Sequence, residues 1–400
     1  MQKQKHLMQP IPSHDESVRQ DFITDFRAFL TDEIYPKITP YYVSKIEPAF
    51  VKEKGRIPAD KKEVQDIMLK DSAYQSWSFL QRISQQMMFT SVIDTVERTL
   101  EDLIEETKNY TKLGSLKLDK SLKVPRYLTA YDIHQQPGGY HTENTENDIA
   151  AGVVYDISLP IYSRDAMGDE NDLLAQATIN YLINNLDVKP KKILDMGCNI
   201  GNSTLPFVRA FPESEVYGID VAAPGLRYAH ARANALNASV HFSQQNAEST
   251  SFEDNTFDIV ASCLLLHETS HSAIPKIINE CARILKPGGW MLHLDVYPFQ
   301  RNIVEPLYDF LKDWEVTNNN EDFSGVLREM DLQGIFEDAG FTKDTIQFTS
   351  AEANSDADNG YTGDFYLKLP VYVAEDPLRA VARGTGIALK NTDSYTFLIQ

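Results

Sequence analysis

The hydrophobic residues of the first 120 positions recur at helical spacing, in two sets. The first set precedes Pro36, and the second follows Ser72, a residue type that can cap the start of a helix. The members are Val18, Phe22, Phe26, Phe29 and Leu30 in the first set, and Trp77, Leu80, Ile83, Met87, Val92, Val96, Leu100 and Leu103 in the second. Because such stripes usually mark buried faces, the pattern predicts an N-terminal helical region whose stripes form a core.

From about residue 190 the pattern changes to short β-rich runs that alternate with helical stretches. The runs lie near 193–196, 215–220, 239–243, 257–263 and 289–296, and the helical stretches near 201–210, 224–236, 273–284 and 326–340. Two later runs, Thr345–Ser350 and Tyr361–Leu369, are predicted as final strands. The alternation predicts a parallel sheet with helices on both faces, whose ligands bind at the carboxyl ends of the strands.

A glycine turn follows the first of these runs. Asp195 ends the run, Gly197 and Gly201 follow, and a helical pattern then begins. Backbone N–H groups at such a turn can face a ligand, and glycine lets the backbone approach it closely. The turn lacks a dinucleotide fingerprint, because Asn199 and Asn202 stand where its later glycines belong. An acid at the strand end suits a ligand with an amine and a sulfonium better than a pyrophosphate.

Five segments, in order along the chain, resemble the motifs of class I S-adenosylmethionine-dependent methyltransferases. They are Ile193–Gly201, Val216–Asp220, Gln245–Glu248, Phe257–Val260 and Leu285–Gly289. The resemblance implies an α/β fold with a Rossmann-like, seven-stranded methyltransferase sheet, helices on both faces and an antiparallel edge. It also implies S-adenosylmethionine as the cofactor and S-adenosyl-L-homocysteine as its product.

The resemblance suggests three parts of the chain. Residues 1–150 are expected to form a helical cap or accessory region, and residues 151–368 the methyltransferase domain, with 297–325 as a lid insertion. Residues 369–400 form a tail whose packing the sequence leaves open, and Leu369–Asn391 resembles the end of the bacterial actin-like MreB proteins. Because this piece is too short for an actin fold, we expect truncation after Lys368 to leave a protein that still binds the cofactor.

The resemblance implies cofactor contacts for ten residues. They are Asp195, Gly197, Cys198, Asn199, Gly201, Asp220, Val221, Asn246, Ala247 and Cys263. A carboxylate at Asp220 can accept both ribose hydroxyls, and Asp195 is expected to orient the methionine amino group directly or through water. Asn199 replaces a usual glycine and Asn246 a usual aspartate. Asparagine tolerates a left-handed backbone, and its side-chain oxygen can still accept a hydrogen bond.

Two polar groups follow the fourth and fifth predicted strands of the core. A histidine with a nearby acid makes a general base poised near neutral pH. The expected catalytic residues are His267, Glu268 and His293, and the expected substrate-binding residues are Tyr140, His141, Asp295 and Tyr297. The alternative for each histidine is a buried side chain that is simply hydrogen-bonded.

The residues from His267 to His271 also match the His-Glu-x-x-His signature of zinc proteases. That signature needs a helix, so that both imidazoles project from one face. Here it follows the strand-like run at 259–264, and Ser272 is suited to begin the next helix. The pattern therefore predicts a turn, and no metal site is expected.

The net charge of −20 and the pI near 4.9 disfavour nucleic acid as a partner, because phosphate binding needs a basic surface. The three cysteines, at 198, 263 and 281, lack the spacing of a metal site. The N-terminal ten residues lack an apolar signal core, and no apolar run is long enough to span a membrane. These features predict a cytoplasmic protein with neither nucleic acid nor membrane as a partner. The partner expected from the resemblance is a small-molecule acceptor, and a homodimer stays open.

Two main functional hypotheses follow. The first is an enzyme that transfers a methyl group from S-adenosylmethionine to a small-molecule acceptor by in-line displacement. The second is a cofactor-binding protein without catalysis, with a regulatory or partner-binding role, and a zinc metalloprotease is a remote third. The sequence does not choose among O-, N-, S- and C-methylation.

Overall fold

The computed structural model describes residues 4–186, 188–295, 306–351 and 369–375 of the chain. The α-helices are α1 (His14–Phe29), α2 (Ile38–Tyr41), α3 (Glu47–Lys54), α4 (Lys61–Met68), α5 (Ser72–Glu106), α6 (Arg126–Thr129), α7 (Ala150–Ser163), α8 (Leu173–Asn185), α9 (Leu205–Ala210), α10 (Ala223–Ala235), α11 (Ile274–Ile284), α12 (Pro306–Asn318), α13 (Asp322–Leu327) and α14 (Leu332–Asp338). The strands are β1 (Ser115–Lys117), β2 (Lys192–Met196), β3 (Glu215–Asp220), β4 (His241–Gln244), β5 (Phe257–Cys263), β6 (Leu285–Leu294), β7 (Ile346–Ala351) and β8 (Leu369–Glu375).

The long helix α5 supports the predicted N-terminal helical region. Its cap is Asp71, one residue before the expected Ser72, because the Asp71 carboxylate accepts a hydrogen bond from the Tyr74 N–H at 2.9 Å. The stripe is largely buried, as predicted for Trp77 and Val92, but 38% of Leu80 is exposed. The periodicity thus located the helix and most of its buried face.

Helix α1 turns a polar face to the protein, contrary to the predicted hydrophobic core. Its Gln20 side chain donates to Ser91 and Thr95 of α5, and its Arg27 guanidinium donates to Ser84 and Gln85 of the same helix. Three members of the predicted stripe are instead exposed by half or more: Val18 (53%), Phe22 (59%) and Phe29 (51%). The prediction is wrong for these three because the face of α1 toward α5 carries hydrogen-bonding side chains, with Ile23 as its buried apolar residue.

In the described part of the chain, eight strands form one sheet in the order β1-β4-β3-β2-β5-β6-β8-β7. The first six are parallel, and β8 runs antiparallel to both β6 and β7. The mostly parallel α/β sheet was predicted, but the count of seven strands was not met. The additional strand is β1, in a lysine-rich stretch that carries little β-signal.

The position of β8 differs from the predicted last strand. The prediction was Tyr361–Leu369, of which residues 361–368 lie outside the described residues. The observed strand begins at Leu369 and pairs with β6 on one side and β7 on the other. This placement argues against the expectation that the chain after Lys368 is dispensable.

Two hydrophobic clusters cover the two faces of the sheet. Ile193 belongs to one cluster and Leu194 to the other, because neighbouring residues of a strand point to opposite faces. A third cluster joins α5 and α7 to α10. The N-terminal helices are therefore packed onto one helix layer of the sheet.

A buried carboxylate adds a polar link to this third cluster. Asp156 of α7 is 1% exposed and lies 2.9 Å from the His6 Nε2 atom and 2.8 Å from the Tyr228 hydroxyl of α10. Although burial opposes its charge, these hydrogen bonds and the nearby Arg232 hold the pKa of Asp156 well below its usual range.

The predicted lid insertion lies partly outside the described residues, which resume at α12. The Trp314 indole N–H of α12 donates to the Ser78 hydroxyl of α5 at 2.8 Å, and the Trp314 and Trp77 rings lie 5.6 Å apart. Helix α12 therefore packs against the N-terminal helices. Among the described residues, no helix is both long enough and apolar enough to cross a membrane.

Candidate active site

The glycine turn after β2 is held against the end of β3. The N–H groups of Gly197 and Cys198 both donate to the Ile219 carbonyl, at 2.8 and 3.0 Å. Gly197 has φ +71°, and a Cβ there would come within 2.7 Å of the Leu265 side chain. Asn199, where glycine is usual, takes a left-handed φ of 41°. The turn therefore keeps its left-handed backbone despite the departure at Asn199.

The Asp220 carboxylate lies at the end of β3, facing this turn. Its Oδ2 atom accepts from the Asn199 N–H at 2.9 Å, and its Oδ1 atom accepts from the Ala222 N–H at 2.8 Å. Burial raises its pKa, against the effect of these bonds. Because each carboxylate oxygen accepts about two hydrogen bonds, both oxygens retain capacity for a ligand hydroxyl.

Asp195 is used differently from the sequence expectation. It is 1% exposed, and its Oδ2 atom accepts from the hydroxyls of Ser203 and Thr204 at 2.7 and 2.6 Å. Burial raises its pKa to about 6 in spite of these two bonds. In this structure Asp195 ties the end of β2 to the start of the following helix, and contact with a methionine amino group stays a prediction.

The remaining expected cofactor residues lie around the same strand ends. The Asn246 side-chain oxygen accepts from the Glu248 N–H at 2.9 Å, and the Val221 carbonyl accepts from the Gln244 amide at 3.0 Å. Ala247 is buried. Cys263 ends β5 half-buried, and burial raises the pKa of its thiol well above the usual value.

A buried histidine–aspartate pair follows β5. The Nδ1 atom of His267 lies 2.7 Å from Asp295 Oδ1, while Asp295 Oδ2 accepts from the Leu266 N–H at 2.7 Å. Burial alone would lower the pKa of His267, but the Asp295 carboxylate raises it to about 9. This shift is upward from the near-neutral pKa expected for a general base at this position.

His293 does not form the expected pair with Asp295. Strand β6 ends at Leu294, so the rule that alternate residues share one face no longer applies at Asp295. His293 is 0% exposed, and its Nδ1 atom lies 2.8 Å from the Ser262 hydroxyl. Burial lowers its pKa to about 4. The ring packs near Phe336, so the expected pairing with Asp295 is replaced by the contact with Ser262, and a catalytic role for His293 stays a prediction.

Two functional candidates that sequence reasoning missed are His134 and Glu321. The Nε2 atom of His134 lies 2.8 Å from Glu268 Oε1, and its Nδ1 atom lies 3.0 Å from Glu321 Oε1. Although burial opposes its charge, these carboxylates raise the pKa of His134 well above its usual value. No local spacing connects these residues with Glu268, so the sequence offered no signal for them.

Tyr140 and His141, which were both expected to bind substrate, have different surroundings. The Tyr140 hydroxyl donates to Glu268 Oε1 at 3.5 Å, and its ring meets the Tyr155 ring edge-on at 5.8 Å. The buried His141 Nδ1 atom has no hydrogen-bond partner among the described residues. Tyr297 lies outside the described residues.

The zinc-protease signature falls in a turn, as predicted. Leu266–Glu268 form one 3₁₀ turn, and His271 lies exposed beyond it. The two histidines of the signature therefore do not project from one face of a helix.

A sequence model described as a methyltransferase domain matches residues 193–289. An uncharacterized protein of Haemophilus influenzae is 31% identical over 38% of this chain and 58% of its own length. A fatty-acid O-methyltransferase of Mycolicibacterium smegmatis is 32% identical over 28% of this chain and 39% of that enzyme. A tRNA N(3)-methylcytidine methyltransferase of Drosophila melanogaster is 25% identical over 27% of this chain and 35% of that enzyme.

The chain thus spans less than two thirds of the length of each of these relatives. The match coincides with the motifs from Ile193 to Gly289 and confirms a methyltransferase segment there. The cofactor of this segment is S-adenosylmethionine, which gives S-adenosyl-L-homocysteine as product. The match does not identify the methyl acceptor, because the named relatives methylate different acceptors, a fatty acid in one case and a tRNA in another.

Proposed function

We propose that this protein transfers a methyl group from S-adenosylmethionine to a small-molecule acceptor. One observation carries the proposal: the left-handed turn at Gly197–Gly201 is hydrogen-bonded to Asp220, and the buried His267–Asp295 pair follows the adjacent strand β5. Both therefore lie at the carboxyl ends of parallel strands, the edge at which such sheets form a ligand crevice. The turn and Asp220 suit the cofactor, and the crevice suits a compact polar acceptor.

On the cofactor side, Asp220 would accept the two ribose hydroxyls with its free lone pairs. The backbone from Gly197 to Gly201 would lie beside the methionine part, with Asp195 holding the turn from behind. Asn246 and Ala247 would border the adenine. The bound cofactor supplies an electrophilic methyl group on a sulfonium.

On the acceptor side, His267, Glu268 and Tyr140 would contact the substrate, and Tyr155, whose ring meets the Tyr140 ring, would lie between them and the cofactor. Burial, then the charges near Cys263 and Glu268, raise the pKa of Tyr155. In the transfer, a lone pair of the acceptor forms the new bond to the methyl carbon. The carbon–sulfur bond breaks and its electron pair stays on sulfur, while a protonated acceptor also gives up its proton. Positioning within the crevice is the main contribution of the protein.

The packing around the crevice favours a small acceptor over a nucleic acid. Helix α12 packs on α5 through Trp314, and the turn at 318–321 contacts His134, so the N-terminal helices and α12 enclose this side. The net charge of −20 would also repel a phosphate backbone.

Calorimetry of S-adenosylmethionine binding tests the cofactor half of the proposal. Asp220→Ala should weaken binding by about 1.5–3 kcal/mol, since it removes hydrogen bonds to a charged group. Glu215→Ala is the matched control, because this exposed carboxylate lies at the other end of the same strand. Unchanged affinity in Asp220→Ala would contradict the assignment of Asp220 as a ligand of the cofactor ribose.

Release of S-adenosyl-L-homocysteine with a panel of small hydroxyl, amine, thiol and activated carbon acceptors tests the catalytic half. Turnover with one acceptor class supports the enzyme. Cofactor binding without turnover on any acceptor, including tRNA, supports the cofactor-binding protein without catalysis.

A further inference from the structure

Three potential metal ligands converge in the crevice. One ring nitrogen each of His134 and His267 and a carboxylate oxygen of Glu268 all lie within 4.8 Å of one another. Glu268 Oε1 is 2.8 Å from His134 Nε2 and 3.6 Å from His267 Nε2. A tetrahedral ion with bonds of 2.0–2.1 Å would place its ligand atoms about 3.3 Å apart. The observed separations bracket this value.

Each imidazole is also held from behind by a carboxylate. His267 Nδ1 lies 2.7 Å from Asp295 Oδ1. His134 Nδ1 lies 3.0 Å from Glu321 Oε1 and 3.0 Å from the Asn319 amide nitrogen, which itself donates to Glu321 Oε1 at 2.7 Å. Metal-binding histidines typically use their second nitrogen in this way, which fixes the tautomer and directs the other nitrogen at the ion. Both histidines therefore present Nε2 to the same point.

The backbone at His134 is strained in a way that serves this convergence. His134 has φ 52° and ψ 15°, and Gln135 has φ 61°. Such left-handed conformations cost free energy in residues other than glycine, and they concentrate at functional sites. The Gln85 amide of α5 donates to the His134 carbonyl at 3.1 Å and helps to hold this conformation.

We infer that His134, His267 and Glu268 bind one divalent transition-metal ion of the zinc type. Two imidazole nitrogens and one carboxylate oxygen form a ligand set typical of catalytic zinc sites, which leave a fourth position open. Three carboxylates, those of Glu268, Glu321 and Asp295, surround the two imidazoles, so the local charge favours a dication. Tyr140 adds a hydroxyl group 3.5 Å from Glu268 Oε1.

The role of the ion rests on the proposed function, whereas its binding does not. In the open position the ion would hold an oxygen of the acceptor, which points to an acceptor with a hydroxyl or carboxylate group. The local spacing of His-Glu-x-x-His gave no hint of this site, because the third ligand comes from residue 134 instead of His271.

The test is metal content followed by titration of the full chain. The purified protein is freed of metal with a chelator, and Zn²⁺ binding is measured by calorimetry and by elemental analysis after dialysis. We expect one equivalent in the wild type. His134→Ala and Glu268→Gln should each lose at least tenfold in affinity, and Glu321→Gln, behind His134, should lose about 10- to 100-fold.

His271→Ala is the matched control, because this exposed histidine belongs to the same sequence signature but not to the cluster. It should bind Zn²⁺ like the wild type. Glu268→Gln keeps the shape of the side chain, so it remains informative if His134→Ala fails to fold. Loss of the bound Zn²⁺ in His271→Ala would overturn the site. So would a full equivalent of bound Zn²⁺ in both His134→Ala and Glu268→Gln.

Parallel titration with S-adenosylmethionine separates the two proposals. Normal cofactor binding without stoichiometric Zn²⁺ in the wild type overturns the metal site alone. One equivalent of Zn²⁺ without cofactor binding overturns the proposed function and leaves the metal site standing.

Discussion

At the scale of single residues, His267 carries the most direct test of the acceptor side. His267→Ala removes a side chain that is fixed by Asp295 and faces Glu268. Turnover should fall by about 10²–10⁴, because the acceptor loses a group that positions it or takes its proton. Affinity for S-adenosylmethionine should change little, because Asp220 and the glycine turn are untouched. Steady-state kinetics and calorimetry on the same preparation check both halves, and turnover equal to the wild type would make His267 structural.

Glu16 provides a prediction for pH. Its carboxylate accepts from the Arg98 guanidinium at 2.9 and 2.6 Å, and this bond, against the opposing effect of burial, lowers its pKa to about 2. A carboxyl whose folded pKa is depressed stabilises the fold above its unfolded pKa of about 4.3, and this contribution is lost as the pH falls toward 2.

Urea unfolding of the wild type and Glu16→Gln should therefore differ by a constant amount above about pH 4.5 and converge between pH 4.5 and 2. Asp94→Asn removes a carboxylate that pairs with Arg19 at the exposed surface, and it should change the stability little at any pH. A gap between wild type and Glu16→Gln that stays constant down to pH 2 would contradict the assignment.

The sequence predicted the residues whose roles depend on local order. Gly197, Gly201 and Asp220 lie within one strand–turn–helix–strand unit, so their spacing alone fixes their relative positions. His134 contacts both Glu268 and Glu321, which lie more than one hundred residues after it in the chain. No periodicity or motif encodes such a meeting, because it depends on how the N-terminal region and α12 pack onto the sheet.

At the scale of elements, the periodicity located the helices better than it predicted which face of each helix is buried. Helix α1 was expected to bury Phe22 and Phe29, yet it buries Gln20 and Arg27. The polar residues find partners on α5, and only knowledge of those partners shows that the polar face is the inner one. Buried polar side chains are the part of a packing arrangement that a hydrophobic pattern cannot report.

The pairing of β8 predicts that the chain after Lys368 is needed for stability, in place of the expectation that it is dispensable. Truncation after Lys368 removes the strand that joins β7 to β6, and it leaves backbone groups of both neighbours without partners. Because each such group costs about 1 kcal/mol or more, the melting temperature should fall by at least about 5 °C.

The matched control is truncation after Asp376, which keeps the whole of β8. Differential scanning calorimetry of the two truncated proteins and the full chain makes the comparison. Equal melting temperatures for the two truncations would mean that β8 contributes nothing to the sheet.

At the scale of the whole molecule, α12 packs against the long N-terminal helix α5 through Trp314, and we propose that the two together cover the acceptor. Trp314→Ala deletes the ring contact with Trp77 and the bond to Ser78, so it should destabilise the fold by about 3–5 kcal/mol. If α12 covers the acceptor, KM for the acceptor should rise more than the dissociation constant of the cofactor. Thr317→Ala, on the exposed side of α12, is the control and should leave both constants unchanged.

The position of β8 also has a consequence for synthesis. Strand β7 precedes β8 in the chain, yet it reaches the rest of the sheet only through β8. A ribosome delivers residues in order, and early parts of a chain can fold while later parts are still being made. The six parallel strands can therefore assemble during translation, while β7 has to wait, with both of its edges open, until residues 369–375 have emerged. During that interval the nascent protein exposes an edge to which another chain can pair, so a pause in elongation within this stretch would favour aggregation.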